Sequence, residues 1–316
     1  MMMKTAIYLI LISILVSSCR SKEQPIELVG WGDSMMKGAG GERSILEVIS
    51  RELGGMEYTN YGVGGLKSNS IAILQGGLPL KLKFDRNNIG LWGKATTTYF
   101  NILPFNSRTR KYRKGRLNNT KGRLIRNGNK ENPKITESFT FQKRFSFEPL
   151  EIKDTVIFEF DEAIQKQDIR SITIIWAGRN DSKKGNNIYK TRDNIKAIVD
   201  NLKKNPNHKE KYIILSVCNG AADKEFMGSR AYEEIKTLNN LLKNTFRDHF
   251  VDVRTYMVNK AIYEMGMEPT NQDLNDIKKD CIPRSFLNDN VHFNTLGYEA
   301  SGKYLTEVIR KKGWID

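Results

Sequence analysis

Asp33 and Ser34 lie in the stretch "WGDSMMKG" (31–38), directly after an apolar run, "IELVGW", that predicts a short buried strand. A serine held at the end of a strand can act as the nucleophile of an acyl transfer. Gly-Asp-Ser is also ordinary turn and N-cap chemistry between a strand and a helix. Because a nucleophilic serine needs a base, an orienting acid and an oxyanion hole, the rest of the chain has to distinguish these two interpretations.

The histidines limit the choice of a base, because the chain contains only three of them. His208 lies in a charged loop, "KKNPNHKEK", where a solvated role is expected. His249 opens a predicted strand, where capping or surface packing is expected. His292 follows Asp289 by three residues and precedes the closing helix, so we take this pair as the candidate base with a nearby acid.

Predicted strands and helices alternate over about residues 25–75 and again from 171 onward. The runs "SITIIWAG", "KYIILSV" and "HFVDVR" predict strands, and stretches such as "NIYKTRDNIKAIVDNLKK" predict the helices between them. This alternation predicts a parallel sheet covered on both faces. Ligands of such sheets bind at the carboxyl ends of the strands. The informative motifs fall at such positions: "GDSMMKG", "NYGVGG", "AGRND" and, before the last helix, "NDNVHFN".

The segment between the two alternating regions has a different pattern. Short alternating stretches such as "PLKLKF", "SFTFQKRFSF" and "TVIFEF" suit antiparallel strands, and no long helix is indicated there. We predict a β-rich basic insertion at 78–153 between the second and third strands of a core formed by 28–77 and 154–316.

Taken together and in this order, the four motifs resemble those of the SGNH hydrolases, the GDSL esterase and lipase superfamily. The resemblance implies an α/β fold, a three-layer flavodoxin-like parallel sheet, with the β-rich segment as an inserted, mainly antiparallel subdomain. It implies a serine esterase with no cofactor and no metal ion. The residues that match the family's are Ser34 as nucleophile, His292 as base, Asp289 as the orienting acid, and the backbone N–H groups of Ser34 and Gly65 with the Asn180 amide as oxyanion hole.

Neighbouring residues receive supporting roles or none. Asp33 is adjacent to Ser34 and points away from it in a turn, so we expect it to brace that turn rather than to orient the base, and Asp181 to act similarly in its own loop. Arg179 either touches an anionic substrate or pairs with an acid. Met35 and Met36 are expected to pack beneath the following helix.

The chain is strongly basic, with a formal net charge of +15, and the charge is uneven. Residues 108–130 contain ten Lys or Arg and no acid. In a cytoplasmic protein such a run would indicate nucleic acid. For an exported protein we expect no nucleic acid, which leaves acidic glycans, anionic lipid headgroups or a merely solvated surface.

Export is predicted from the first residues. "MMMKTAIYLILISILVSSC" has a lysine, an apolar run too short for a permanent span, and small residues before Cys19. The ending "VSSC" resembles a bacterial lipobox, which predicts a signal peptide at 1–18, lipidation of Cys19 and a tether over 19–27. A plain signal peptide or an uncleaved anchor is the alternative. The predicted location is the cell envelope, periplasmic or surface-exposed.

Cys218 and Cys281 remain after Cys19, and they either pair in an oxidising compartment or stay as thiols, as the strand-end position of Cys218 suggests. The sequence thus predicts an exported, lipid-anchored serine esterase whose substrate is an acylated glycan or another small ester. The alternatives are a lipase or lysophospholipase, an O-acyltransferase using the same acyl-enzyme, and a surface glycan-binding lipoprotein without catalysis. The oligomeric state stays open.

Overall fold

The computed structural model describes residues 26–102, 112–127, 138–165, 170–182, 187–206, 208, 210–221 and 223–315. The predicted signal peptide and Cys19 lie outside these ranges. Within them, no helix combines the length and the apolar composition that a membrane span requires.

A five-stranded parallel sheet forms the centre of the α/β core. Its spatial order is β13-β12-β11-β1-β2, which is the 2-1-3-4-5 order of flavodoxin-like folds when the core strands are counted along the chain. In register, Gly32 at the end of β1 lies between Trp176 of β11 and Gly62 of β2, so the carboxyl ends of these three strands are level. The strands are β1 (Glu27–Gly32), β2 (Tyr58–Gly62), β11 (Ser171–Trp176), β12 (Tyr212–Leu215) and β13 (Phe250–Val251).

Helices cover both faces of the sheet, because alternate strand residues point to opposite sides. Val29 and Trp31 of β1 pack with α3, α6 and α7, whereas Leu28 packs on the other face with α1, α2, α8 and α11. The predicted three-layer α/β fold is therefore confirmed. The helices are α1 (Ser34–Lys37), α2 (Ile45–Glu52), α3 (Ser68–Gln75), α4 (Asp161–Gln165), α5 (Arg179–Ser182), α6 (Ile188–Lys203), α7 (Arg230–Phe246), α8 (Val253–Asn259), α9 (Ala261–Glu264), α10 (Asn271–Lys278) and α11 (Thr295–Lys311).

The β-rich segment forms a closed antiparallel barrel between β2 and β11, with strand order β10-β3-β5-β8-β7-β6. Its interior side chains, such as Phe139, Phe141 and Phe158, are continuous with the core beneath α3 and α6. Its strands are β3 (Leu80–Phe84), β5 (Lys94–Phe100), β6 (Tyr112–Leu117), β7 (Thr120–Arg126), β8 (Phe139–Lys143) and β10 (Val156–Phe160), with β4 (Asn88–Ile89) and β9 (Leu150–Glu151) pairing beside them.

Two boundaries differ from those expected from the sequence. The barrel continues past residue 153, because β10 pairs with both β3 and β6 and so completes its closure. The predicted strand "HFVDVR" shortens to Phe250–Val251, because Asp252 caps α8 by accepting the backbone N–H of Thr255 at 3.0 Å. A capping aspartate ends the strand where hydrophobic alternation alone would extend it.

Candidate active site

Ser34 is held in a tight turn at the carboxyl end of β1. Asp33 caps α1, with its Oδ1 accepting the backbone N–H of Met35 at 2.9 Å. A Cβ on Gly32 would overlap the Trp176 carbonyl, and one on Gly62 would overlap the backbone of Lys37. The turn is packed from below as expected, since Met35 and Met36 are both buried. The local sequence thus positions Ser34 at the edge of the sheet, half-buried.

His292 and Asp289 complete a hydrogen-bonded chain with this serine. His292 Nε2 lies 2.9 Å from Ser34 Oγ, and His292 Nδ1 lies 2.7 Å from Asp289 Oδ2. Asp289 Oδ1 also accepts the backbone N–H groups of Val291 and His292, each at 2.7 Å. One carboxylate oxygen therefore shapes the loop while the other orients the imidazole.

The hydrogen bonds to Asp289 favour its ionised form. Partial burial acts to raise the pKa of this carboxyl, but the hydrogen bonds from His292 and Val291 outweigh it and lower the pKa below its usual value. Asp289 therefore stays an acceptor for the Nδ1–H of His292, which leaves Nε2 facing Ser34 as the proton acceptor.

Gly65 and Asn180 come from the ends of the two strands that flank β1, and both line the same cleft as Ser34 and His292. Gly65 has a φ of 76°, a left-handed conformation that suits glycine. The Asn180 amide donates to the Leu66 carbonyl at 2.9 Å. Since an amide nitrogen carries two hydrogens, one donor of Asn180 is left for a second acceptor.

Asp181 joins the short helix α5, which carries Asn180, to the segment that follows Gly65. It accepts both the backbone N–H and the hydroxyl of Ser68, each at 2.8 Å, and it is buried. Its bracing therefore runs across to the start of α3 and not only within its own loop. These hydrogen bonds fix the position of the Gly65 loop relative to α5, which carries Asn180.

Asp33 and Arg179 both make contacts within the fold, and neither lines the cleft. Burial raises the pKa of Asp33 to about 6, and its contact is with the Met35 backbone rather than with the ring of His292. Arg179 is buried and forms two hydrogen bonds with the carboxylate of Glu225, at 2.8 and 2.9 Å. The ion-pairing alternative for Arg179 is the one that the structure adopts.

The other histidines pack elsewhere. The solvated role expected for His208 is wrong: only 2% of it is exposed, and its Nε2 lies 3.1 Å from Thr173 Oγ1. The charged residues next to His208 in the sequence give no indication of this burial, because it depends on the long-range contact with β11. His249 stacks on Tyr212 at 3.8 Å between ring centroids, as surface packing predicts. Cys218 and Cys281 are both buried thiols.

The cleft around Ser34 has a volume of about 860 Å³ and extends beyond the hydrogen-bonded chain. It is also lined by Thr59, Asn60 and Tyr61 of β2 and, from the barrel side, by Arg113 and Glu162. Arg113 Nη1 donates to Glu162 Oε1 at 2.7 Å. This pair could not be recognised from the sequence, because nothing in the basic run distinguishes Arg113 before the barrel closes.

Tyr61 lines the cleft. It stacks on Trp31 with 4.2 Å between ring centroids. Burial, and then the charges of Glu27 and Glu162, raise the pKa of Tyr61 to about 12, so its hydroxyl stays a hydrogen-bond donor near neutral pH.

The sequence matches a known protein family. Residues 28–305 match the model of the GDSL-like lipase/acylhydrolase family. No curated protein matched the sequence. Similar solved structures include a G-D-S-L family lipolytic protein from Veillonella parvula (13% identity, 90% of this chain and 99% of that chain, TM-score 0.47).

Two further similar structures have comparable scores. A GDSL-like lipase from Bacteroides thetaiotaomicron shows 13% identity over 96% of this chain and 98% of that chain, with a TM-score of 0.45. An acetyl xylan esterase shows 12% identity over 91% and 99%, with a TM-score of 0.46. With the family match extending over most of its length, the chain belongs to the GDSL-like lipase/acylhydrolase family, and it is a carboxylic ester hydrolase.

Proposed function

We propose that this protein is an exported serine esterase that removes acetyl groups from a glycan through an acyl-enzyme formed on Ser34. The observation that carries the proposal is the continuous chain Ser34–His292–Asp289, with contacts of 2.9 and 2.7 Å, at the rim of a large polar cleft. A nucleophile, a base and an orienting acid in hydrogen-bond reach are the parts that acyl transfer requires.

In the first half-reaction, Ser34 Oγ attacks the ester carbonyl carbon while its proton moves to His292 Nε2. Asp289 stabilises the imidazolium without taking the proton. The tetrahedral intermediate then collapses, its bond to the alcohol oxygen breaks, and the alcohol leaves with the proton from His292. The acyl group stays on Ser34.

In the second half-reaction, His292 Nε2 takes a proton from water as the water oxygen attacks the acyl carbon. Collapse of this intermediate releases the carboxylic acid and returns the proton to Ser34 Oγ. In both halves the oxyanion accepts hydrogen bonds from the backbone N–H groups of Ser34 and Gly65 and from the Asn180 amide, whose support is greatest in the transition state.

The glycan part of the proposal is supported by the cleft walls. Arg113 and Glu162 place a cation and a carboxylate side by side, which suits the alternating donors and acceptors of sugar hydroxyls. Tyr61 adds an aromatic ring with a hydroxyl. Most of the side chains that line the cleft are polar or charged. This favours a short acyl group such as acetyl over a long apolar chain.

Export is supported by the sequence alone, through the leader-like residues 1–18 and the lipobox-like Cys19. Changing Cys19 to Ala is expected to move the protein from the membrane fraction to the soluble fraction. An unchanged membrane fraction would contradict the lipid anchor.

The esterase is tested on protein that begins at Arg20. The wild type is expected to release acetate from p-nitrophenyl acetate and from at least one acetylated polysaccharide of a panel, and Ser34→Ala to abolish both activities with an unchanged circular dichroism spectrum. Equal activity in Ser34→Ala would exclude Ser34 as the nucleophile. Hydrolysis of the synthetic ester without acetate release from any polysaccharide would exclude the glycan deacetylase.

A further inference from the structure

The barrel carries three exposed aromatic rings at one end, Trp92, Phe145 and Phe147, which we name the aromatic end. Trp92 is 73% exposed and Phe147 is 86% exposed. Their rings form a contiguous row, with 4.5 Å between the centroids of Trp92 and Phe145 and 4.9 Å between those of Phe145 and Phe147. Soluble proteins seldom expose such a patch without a binding partner.

A buried cation holds the two loops that carry these rings. Lys143, at the end of β8, is only 3% exposed. Its Nζ donates to the backbone carbonyl of Glu148 in one loop and, at 3.4 Å, to that of Gly90 in the other. Burying an ammonium group is costly, so these hydrogen bonds indicate that the position of the loops is specified by the fold. The rings are pre-organised, which lowers the entropic cost of binding.

The aromatic end is separate from the catalytic cleft. Arg113 lies at the start of β6 and lines the cleft, whereas the turn at Asn118 and Asn119, after the end of β6, lies beside the aromatic end. At roughly 3.3 Å per residue, β6 places about 20 Å between the two. The cleft and the aromatic end thus lie at opposite ends of the barrel, and a ligand would have to span about 20 Å to reach both.

The chemistry around the rings indicates the kind of ligand. A groove of about 600 Å³ combines the rings of Phe145 and Phe147 with polar and charged groups. Sugar rings present C–H faces that pack on aromatic rings and hydroxyl edges that need hydrogen-bonding partners, and this groove offers both. Its cations outnumber its carboxylate, which favours an anionic sugar. The polar and charged lining residues are Asn119, Thr120, Lys121, Arg144, Ser146 and Glu148.

We infer that the aromatic end is a non-catalytic binding site for an acidic polysaccharide, with Trp92, Phe145 and Phe147 contacting sugar faces and Lys121 and Arg144 contacting carboxylates. A membrane surface fits less well, because the same groove contains hydroxyl, amide and carboxylate groups. The binding stands independently of catalysis, whereas its use in holding a polymer at the cleft rests on the proposed esterase function.

The experiment measures binding by affinity electrophoresis, in gels containing polygalacturonate, glucuronoxylan or alginate and, as uncharged control, hydroxyethyl cellulose. The protein used begins at Arg20 and carries Ser34→Ala, so that hydrolysis cannot change the polymer. We expect retardation by at least one acidic polymer and none by the uncharged one. Trp92→Ala with Phe147→Ala should weaken binding at least tenfold, whereas Tyr99→Ala, an exposed aromatic elsewhere on the barrel, should not.

The charge requirement has its own matched pair. Lys121→Gln with Arg144→Gln should weaken binding, whereas Lys83→Gln with Lys114→Gln, which removes the same charge from exposed positions on β3 and β6, should weaken it much less. In the Ser34 wild-type background, the Trp92 and Phe147 changes should leave p-nitrophenyl acetate hydrolysis unchanged.

Several results would overturn the inference. One is that no acidic polymer retards the protein, and another is that the test and control variants lose binding equally. A third is that the protein binds only to vesicles of anionic phospholipid. Because binding is measured without turnover, none of them bears on whether Ser34 is the nucleophile.

Discussion

Glu162 accepts a 2.7 Å hydrogen bond from Arg113 Nη1, and this contact joins the helix that follows the barrel to the strand that opens its second half, at the wall of the catalytic cleft. The inserted barrel is therefore part of the cleft that contains Ser34. Arg113 from the barrel and Glu162 from the helix after it line the same cleft as Ser34 and His292.

The double substitution Arg113→Gln with Glu162→Gln tests this wall. It removes both charges but keeps side chains that can hydrogen-bond each other, so neither is left as a buried unpaired charge. We expect KM for an acetylated polysaccharide to rise about tenfold, since sugar hydroxyls lose charged partners. Hydrolysis of p-nitrophenyl acetate should be unchanged.

The control for this pair is Lys114→Gln with Glu159→Gln, which removes the same charges from neighbouring exposed positions on β6 and β10. It should leave both activities unchanged. An equal rise in KM in the control would mean that the overall charge of the barrel matters, not the cleft wall.

Asn180→Ala removes one donor to the oxyanion. We expect kcat to fall roughly 100-fold or more with little change in KM, because this donor acts mainly in the transition state. Steady-state kinetics on p-nitrophenyl acetate measures it. Asn194→Ala, which removes a hydrogen bond to Ser68 Oγ without touching the cleft, is the control and should retain most of kcat. A wild-type kcat in Asn180→Ala would exclude Asn180 from the oxyanion hole.

Asp33 should make the protein less stable as pH rises. Burial raises its folded-state pKa from 3.8 to about 6, so the folded protein binds more protons than the unfolded chain between these values. The contribution of Asp33 to the free energy of unfolding should therefore fall by on the order of 3 kcal/mol as pH rises from about 4 to above 6. Asp33→Asn should lack this fall, which urea denaturation at a series of pH values measures. Parallel curves for the two proteins would contradict it.

His208 should have the opposite effect in an overlapping pH range. Burial lowers its pKa from 6.5 to about 4, so the unfolded chain binds the extra proton first. Its contribution makes the folded state more stable as pH rises through this interval, by up to about 3 kcal/mol. His208→Gln, whose amide can replace the hydrogen bond to Thr173, should lack this acid-side loss in the same urea series. If the variant lost stability toward acid as steeply as the wild type, His208 would not be the group responsible.

The core of the fold could be predicted because its signals are local. Apolar runs such as "SITIIWAG" and the helical spacing between them predict a parallel sheet from residues that are neighbours in the chain. The capping at Asp252, which shortens the last strand, and the burial of His208 could not be predicted in the same way. Both depend on contacts whose geometry is set only when the sheet and helices pack.

The sequence by itself determined the residue types of the candidate site and their order: a serine after the first strand, a glycine after the second, an asparagine after the third, and an aspartate and histidine before the last helix. Only the tertiary structure decided that His292 lies 2.9 Å from Ser34 Oγ and 2.7 Å from Asp289 Oδ2. It also decided that Arg179 pairs with Glu225, that Arg113 lines the cleft, and that Trp92 lies at the other end of the barrel. The alternation of strands and helices is encoded by local sequence, and it brings the carboxyl ends of the parallel strands to one edge of the sheet. The wall of the cleft depends instead on closure of the barrel, and so on the register between strands whose residues are far apart in the chain.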